Sequence, residues 1–377
     1  MLDLSDIPLV DNHCHPVLLE QQMDTLRFRG YFTEATHPSF AQTHLPNTVY
    51  YLWILRQLAT FFDCNSSEQD VITARNALSA DDLLQRLVSA AHIDTLILDV
   101  GFPDLATCYS PERMGQLGQC RTVQMLRLET LMQCLIVAHS DFDEVIERFS
   151  AELSNVREQR YCAFKSIVAY RTGLDIGEWS KDEAAASFVQ ARAEAARKGQ
   201  LRIAHKPLID YLLHIAFAKA AEQALPIQFH TGYGDSDTDM RLGNPLHLRA
   251  ICERTDYQTM QIVLLHESYP YCQLGAYLAA IYPHVYFDLS YAIPFVDKLE
   301  MLAFTRQALS IAPASKLMYS SDGVNLPEMH WASAIRGRSI IGQVLQEMVD
   351  VDELDMQQAY RLAQLLLHDT AYTVYKL

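Results

Sequence analysis

The chain has 377 residues, of which half are apolar and a fifth are charged, the balance of an ordinary soluble globular protein. Its 30 basic and 46 acidic side chains give a formal net charge of −16. The sequence therefore predicts no nucleic-acid partner and no membrane partner, since either would need a basic face. The first residues, MLDLSDIPLV, lack the basic region of a signal peptide, and no apolar stretch approaches about 18 residues.

The eight cysteines are scattered along the chain and form no CxxC pair. We interpret them as reduced and mostly buried small apolar residues, which predicts a cytoplasmic protein. Cys14 lies between two histidines, but alternation along a strand predicts that its side chain points away from theirs.

Short apolar runs alternate with helical patterns along the chain, which is typical of parallel βα units. Eight runs predict strands at residues 7–11, 95–100, 122–128, 161–164, 226–229, 261–265, 285–289 and 317–320. Eight such units are what a (β/α)₈ TIM barrel requires. An open doubly wound sheet is the alternative, but the glycine-rich phosphate turn that often marks one is missing. We predict an α/β fold, a TIM barrel formed by residues 1–377 as a single domain.

Helical patterns between the runs include residues 184–198, 206–224, 245–254 and 297–312. Two segments exceed the length of a plain barrel. Residues 18–92 follow the first run and are too many for a bare loop, so they predict a helical insertion over the barrel mouth. Residues 331–377 predict C-terminal helices.

Polar residues with metal-binding side chains follow the runs. They are His13, His15, Lys165, His230, His266 and Asp322. Residues i and i+2 of a strand face the same side, and the C-terminal ends of barrel strands share one face, so these side chains are expected to converge. Imidazole and carboxylate are suitable ligands for Zn²⁺ or a similar ion. A single such histidine is more often a core or surface residue, but the joint pattern favours a metal site.

These positions resemble the amidohydrolase superfamily, the metal-dependent hydrolases of the TIM-barrel fold. Four segments carry a closer likeness: FKSIVAYRTGLDI (164–176), HTGYGDSDTDMRLGNPLHLR (230–249), LLHESYPY (264–271) and YSSDG (319–323). They look like the amidohydrolase-type domain that precedes a glutamine-synthetase-like domain in certain plant and fungal proteins. The chain stops where the barrel should end, so a free-standing bacterial form of that domain is expected.

The resemblance implies a centre of two divalent ions, Zn²⁺ with Mn or Fe as alternatives, bridged by a carbamylated Lys165. One ion would be held by His13, His15 and Asp322, and the other by His230 and His266. Many relatives use one metal and lack the lysine, so Lys165 favours two; its alternative interpretation is a surface or ion-paired lysine. Asp322 would be catalytic, accepting a proton from the metal-activated hydroxide nucleophile and passing it to the leaving amine.

The substrate is expected to be a small molecule that carries a carboxylate. Arg171 and Arg241 lie in loops expected at the active face and are candidates to bind it, with a surface salt bridge as the alternative for each. Tyr233 is a weaker candidate. The glutamine-synthetase-like neighbour suggests γ-glutamyl amides, by analogy alone.

Three functions follow as hypotheses. The first is a metal-dependent hydrolase that cleaves a C–N bond. The second is a metal-dependent decarboxylase or sugar-acid isomerase of the same superfamily, and the third is a barrel that has lost catalysis and only binds. The sequence leaves open whether the chain forms a homo-oligomer.

Overall fold

A computed structural model describes residues 2–20, 22–154 and 156–377. Its strands are β1 (Leu9–Cys14), β2 (Ile93–Asp99), β3 (Arg121–Arg127), β4 (Tyr161–Ser166), β5 (Pro226–Phe229), β6 (Gln261–Leu264), β7 (Val285–Ser290) and β8 (Leu317–Ser320). All eight predicted strands are confirmed, with small shifts at their ends. The eight cysteines are all free, as predicted.

The helices follow in chain order. They are α1 (Thr25–Gly30), α2 (Val49–Phe62), α3 (Glu68–Asn76), α4 (Ala80–Ala90), α5 (Pro111–Gly118), α6 (Leu128–Ala138), α7 (Phe142–Glu152), α8 (Lys181–Lys198), α9 (Lys206–Gln223), α10 (Arg249–Cys252), α11 (Cys272–Ile281), α12 (Lys298–Ile311), α13 (Pro327–Asp350), α14 (Met356–Gln364) and α15 (Thr370–Tyr375). The helical pattern predicted at 245–254 is confirmed for residues 245–252, in two consecutive parts. A 3₁₀ turn at Pro245–Leu248, begun by the side-chain cap of Asn244, precedes the short α10. No described helix is both long and apolar enough to cross a membrane.

The strands form one sheet in the sequential order β1 to β8. Neighbouring pairs run parallel, for example β1 with β2 and β4 with β5, and β8 packs beside β1. All six residues of β1 are buried, as expected for a parallel strand covered on both faces. The predicted α/β fold class, a TIM barrel, is confirmed.

The chain divides into two compact units made of discontinuous segments. Unit 1 comprises the residues up to Val123, Gly234–Ser236 and Asp288–Thr373. Unit 2 comprises Gln124–Tyr233, Asp237–Phe287 and the residues from Val374. That residues 1–377 form a single domain stays a prediction.

The long segment between β1 and β2 contains several helices, the last of which leads directly into the barrel. The helix α4 immediately precedes β2 and packs against α5 and α13. That is the place of the ordinary helix that connects the first two strands of a barrel. The bounds 18–92 of the insertion stay a prediction, and α1 to α3 are the helices that precede α4 in it.

A buried ion pair ties the insertion to α13 within unit 1. Arg75 of α3 donates from Nε to Oε1 of Glu328 at 2.5 Å, and both side chains are almost fully buried. Breaking such a pair leaves an uncompensated buried charge. We expect Glu328→Gln to lower the free energy of unfolding by about 3 kcal/mol in urea titrations. Glu222→Gln, which breaks an exposed pair with Lys219, should change it by less than about 1 kcal/mol.

Candidate metal centre

Three predicted ligands of unit 1 lie together, and we call them the unit 1 cluster: His13, His15 and Asp322. His13 lies in β1 and His15 just after it, and both are buried. The Nε2 atoms of His13 and His15 lie 3.5 and 3.7 Å from the same carboxylate oxygen, Oδ1 of Asp322. Two imidazole nitrogens therefore face one carboxylate oxygen, an arrangement that suits a divalent cation.

Backbone contacts fix the loop that carries Asp322. Its N–H donates to the carbonyl of His13 at 3.0 Å, and the N–H of His15 donates to the carbonyl of Gly323 at 2.8 Å. Asp322 has a left-handed φ of 48°, which is costly for a residue with a Cβ. Gly323 is required by close packing, because a Cβ there would lie 2.7 Å from the ring of His330. The loop after β8 is thus held in one conformation beside β1.

The orientation of His15 is set by two carbonyl groups. Its Nδ1 lies 2.9 Å from the carbonyl oxygen of Phe102 and 3.2 Å from that of Asp99. A carbonyl only accepts hydrogen bonds, so Nδ1 carries the proton and Nε2 keeps its lone pair. A histidine that binds a metal through Nε2 needs this tautomer. A hydrogen bond from the other ring nitrogen to a backbone carbonyl is a usual way to orient such a ligand.

One polar residue at this site was missed by the sequence analysis. Asp99 ends β2, is fully buried, and offers a carboxylate oxygen within 4.8 Å of ligand nitrogens of His13 and His15. The rule that found the other candidates, a polar residue just past an apolar run, did not select it, because the second run was predicted to extend to residue 100. Cys14, by contrast, lies near Asp11 and His330. Its side chain is therefore on the opposite side from the two histidines, as alternation along a strand predicts.

The other three predicted ligands, Lys165, His230 and His266, belong to unit 2 and form the unit 2 cluster. Lys165 lies inside β4 rather than after it and is 1% exposed. It pairs in register with Gln228 of β5, two residues before His230. The ring centroids of His230 and His266 lie 4.4 Å apart. The Nε2 of His230 donates to the carbonyl of Tyr233 at 2.6 Å, which leaves Nδ1 as the nitrogen with a lone pair.

The loops after β5 and β6 are held together within unit 2. The hydroxyl of Thr231 donates to the carbonyl of Leu265 at 2.5 Å. Gly232 has a φ of 73°, and a Cβ there would lie 2.3 Å from the carbonyl oxygen of Tyr269. Beginning at His266, three consecutive residues have left-handed φ values of 61°, 52° and 48°. Backbone strain of this kind concentrates at functional sites.

The three predicted substrate residues lie in different surroundings. Arg171 is partly buried, and no described residue accepts a hydrogen bond from its buried Nε. Burial, reinforced by Arg202, lowers the pKa of Arg171. The side chain of Arg241 is 88% exposed and pairs with Asp239 at 2.7 Å, which favours the surface-pair alternative. Tyr233 is buried with its ring edge-on to that of His266, 5.8 Å between centroids.

An acidic residue of the insertion has an unusual pKa. Burial, with the charge of Asp235 added, raises the pKa of Glu34 from 4.5 to about 7. The folded state therefore holds an extra proton between these values, so the free energy of unfolding falls as pH rises through that window. Glu34 should contribute up to about 3 kcal/mol to the decrease in the free energy of unfolding between pH 4 and pH 8, and Glu34→Gln should remove this contribution. Urea unfolding at both pH values measures it. The exposed Glu147→Gln should keep the wild-type pH dependence.

Comparison with known proteins gives a consistent group of relatives. A family model described as amidohydrolase matches residues 178–377, more than half of the chain. The curated Protein fluG of Emericella nidulans is 28% identical over 98% of this chain, which spans only 46% of that protein's length. A Lactobacillus casei protein described as a "putative metal-dependent hydrolase" has a crystal structure with a TM-score of 0.87, at 26% identity over 100% of this chain and 98% of that one. Uronate isomerase from Thermotoga maritima shares the fold, with a TM-score of 0.68 at 13% identity over 98% and 95% of the two chains.

Proposed function

We propose that the chain, which belongs to the amidohydrolase family, is a metal-dependent hydrolase. It would cleave a C–N bond of a small molecule that bears a carboxylate. The observation that carries the proposal is the unit 1 cluster. Two buried imidazoles face one carboxylate oxygen, and the proton of His15 is directed away from that oxygen by two carbonyl groups. The donor set of this cluster fits Zn²⁺, and Mn or Fe as alternatives.

The unit 2 cluster supports a second ion. His230 and His266 offer neighbouring imidazoles, and the tautomer of His230 is set by the carbonyl of Tyr233. Lys165 is 1% exposed, and burying a charged ammonium is costly. The neutral amine of a lysine can add CO₂ and release a proton to become a carbamate, which carries no positive charge. A carbamate supplies two anionic oxygens, whereas an ammonium repels a cation. We therefore propose that Lys165 is carbamylated and bridges two ions.

The roles of the residues follow from their positions. When bound, divalent ions supply Lewis-acid polarisation of a carbonyl group and lower the pKa of water to about 7. Asp322 would hold the proton taken from the attacking water and deliver it to the leaving amine. Its carboxylate is kept in place for both transfers by the backbone contacts of β1 with the loop after β8. The histidines of the two clusters would bind and orient, without exchanging protons.

Metal analysis joined to a substrate screen tests this proposal. Protein purified without added metal should contain about two equivalents of Zn, Mn or Fe by mass spectrometry. The loaded enzyme should release amine from a panel of N-acyl and γ-glutamyl amides of small carboxylic acids. Aromatic carboxylic acids and uronates serve as comparison substrates. Folded protein without metal affinity would contradict a metal-dependent enzyme, and turnover of the comparison substrates alone would favour the decarboxylase or isomerase.

The two arginine candidates make a matched pair for substrate binding. Because its buried Nε has no acceptor among the described residues, Arg171 can pair with a substrate carboxylate. We expect Arg171→Gln to raise the KM for a carboxylate substrate about 10-fold or more, with a smaller change in kcat. Arg241→Gln should leave KM unchanged, since its side chain is exposed and already paired. Equal effects of the two substitutions on KM would contradict this assignment.

A further inference from the structure

The left-handed backbone conformation of Asp322 depends on the groups that surround it. Its φ of 48° is unfavourable for a residue with a Cβ, and such a conformation persists only where several contacts hold it. The Nε2 atoms of His13 and His15 face the carboxylate of this residue, so the direction of its side chain decides whether the unit 1 cluster can bind an ion. Two side chains outside that cluster, Asp11 and Ser333, bond to the backbone just before Asp322.

The two peptide groups that flank the Cα of Asp322 are both fixed. The first joins residues 321 and 322. Its carbonyl oxygen accepts a hydrogen bond from Oγ of Ser333 at 3.2 Å, and its N–H donates to the carbonyl of His13 at 3.0 Å. In the second, the N–H of Gly323 donates to Oγ of Ser321 at 2.8 Å. A peptide group is planar, so fixing both planes fixes φ and ψ between them.

Asp11 holds the start of the same loop from β1. It is fully buried, and its Oδ1 accepts a hydrogen bond from the N–H of Ser321 at 2.8 Å. Its other oxygen, Oδ2, lies 3.9 Å from Nδ1 of His330 in α13, the residue whose ring closes on Gly323. Ser333 belongs to the same helix and is also buried, so water does not compete for its bond to the loop. The loop is thus held by side chains of both β1 and α13.

We propose that Ser333 and Asp11 are positioning residues, which hold the carboxylate of Asp322 in front of the two histidines of the unit 1 cluster by fixing the backbone of residues 321–323. The role of Asp322 as a metal ligand and proton carrier rests on the proposed function. The hydroxyl of Ser333 is neutral and bonds to a carbonyl group, so its loss reaches a bound ion through the geometry of Asp322. Outer partners that orient a ligand tune the affinity of a metal site, because a misplaced ligand binds less well.

Zn²⁺ affinity, measured on metal-free protein by competition with a coloured chelator, tests the role of Ser333. Ser333→Ala removes a single oxygen and should lower the affinity about 10-fold. The same substitution should have no further effect in Asp322→Asn protein, because the carboxylate through which it acts is gone. Ser187→Ala is the control, since Ser187 is also a buried serine in a helix, α8. An equal loss of affinity in both backgrounds would mean that Ser333 only stabilises the fold, and would overturn the proposal.

Two substitutions separate the hydrogen bond of Asp11 from its charge. Asp11→Asn keeps an oxygen that can accept from the N–H of Ser321, so it should retain most of the Zn²⁺ affinity. Asp11→Ala removes the acceptor and should lower the affinity about 10-fold or more. An equal loss in the two variants would assign the effect to the charge of Asp11 and overturn its positioning role.

Thermal unfolding checks that each variant is folded, and Ser333→Ala remains a sufficient test if Asp11→Ala does not fold. Unchanged Zn²⁺ affinity in both alanine variants of an enzyme that hydrolyses amides would overturn this proposal and leave the proposed function intact. Lowered affinity in the variants of a protein that hydrolyses no amide would support the positioning role and contradict the proposed function.

Discussion

Replacing Asp322 with asparagine should lower kcat/KM by about 10³-fold or more, since the change removes both an anionic metal ligand and the group proposed to transfer protons. The amide keeps the size of the carboxylate, and the backbone contacts of residue 322 with His13 do not involve its side chain. The fold should therefore survive. Steady-state kinetics on an amide found in the substrate screen provides the measurement.

Excess metal separates the two roles of Asp322. If the carboxylate only binds metal, saturating Zn²⁺ should restore activity to the asparagine variant. If it also transfers protons, the variant should stay inactive when fully loaded, and the acidic limb of the pH–rate profile should change. Asp239→Asn is a suitable control because Asp239 lies in an exposed pair with Arg241. Near-normal kcat/KM in the loaded asparagine variant would contradict the proton-transfer role.

The fold was predictable because its signals are local and repeated. Each βα unit carries a short apolar run followed by an amphipathic or apolar helix, and eight repetitions leave few architectures open. The same regularity made the candidate ligands visible. A polar residue such as His13 or His266 at the end of a buried strand contrasts with the apolar residues before it, and parallel strands bring such ends to one edge.

Other features depend on contacts that have no periodic signal. Tyr50 and Trp53 appear in the sequence as an aromatic helical pattern, and only the three-dimensional packing brings Arg336 against both rings. Arg241 and Arg171 were equal candidates by position in the chain, yet they differ in exposure. The end of the insertion is hard to predict for a similar reason. The apolar face of α4 is equally consistent with an inserted helix and with a barrel helix.

Replacing Lys165 with alanine should reduce bound metal from about two equivalents to one or fewer, because the proposed bridge is lost. The side chain is buried near the C-terminal ends of the parallel strands β4 and β5, in register with Gln228, so it has little freedom to act as a surface lysine. Activity should fall together with the second ion. Metal analysis and kinetics on the same preparation give both quantities.

Chemical rescue makes the prediction specific to a carbamate. A short carboxylate such as acetate or propionate fits the space left by the alanine and can supply the two missing oxygens, so part of the metal and activity should return. Lys316→Ala is the control, because that lysine is also partly buried, and burial lowers its pKa to about 8. It precedes β8 and lies outside the proposed ligand set, so its loss should leave metal content unchanged. Two equivalents of metal in Lys165→Ala would mean that the lysine does not bridge the ions. A buried amine would then need another explanation, such as a contact with the substrate.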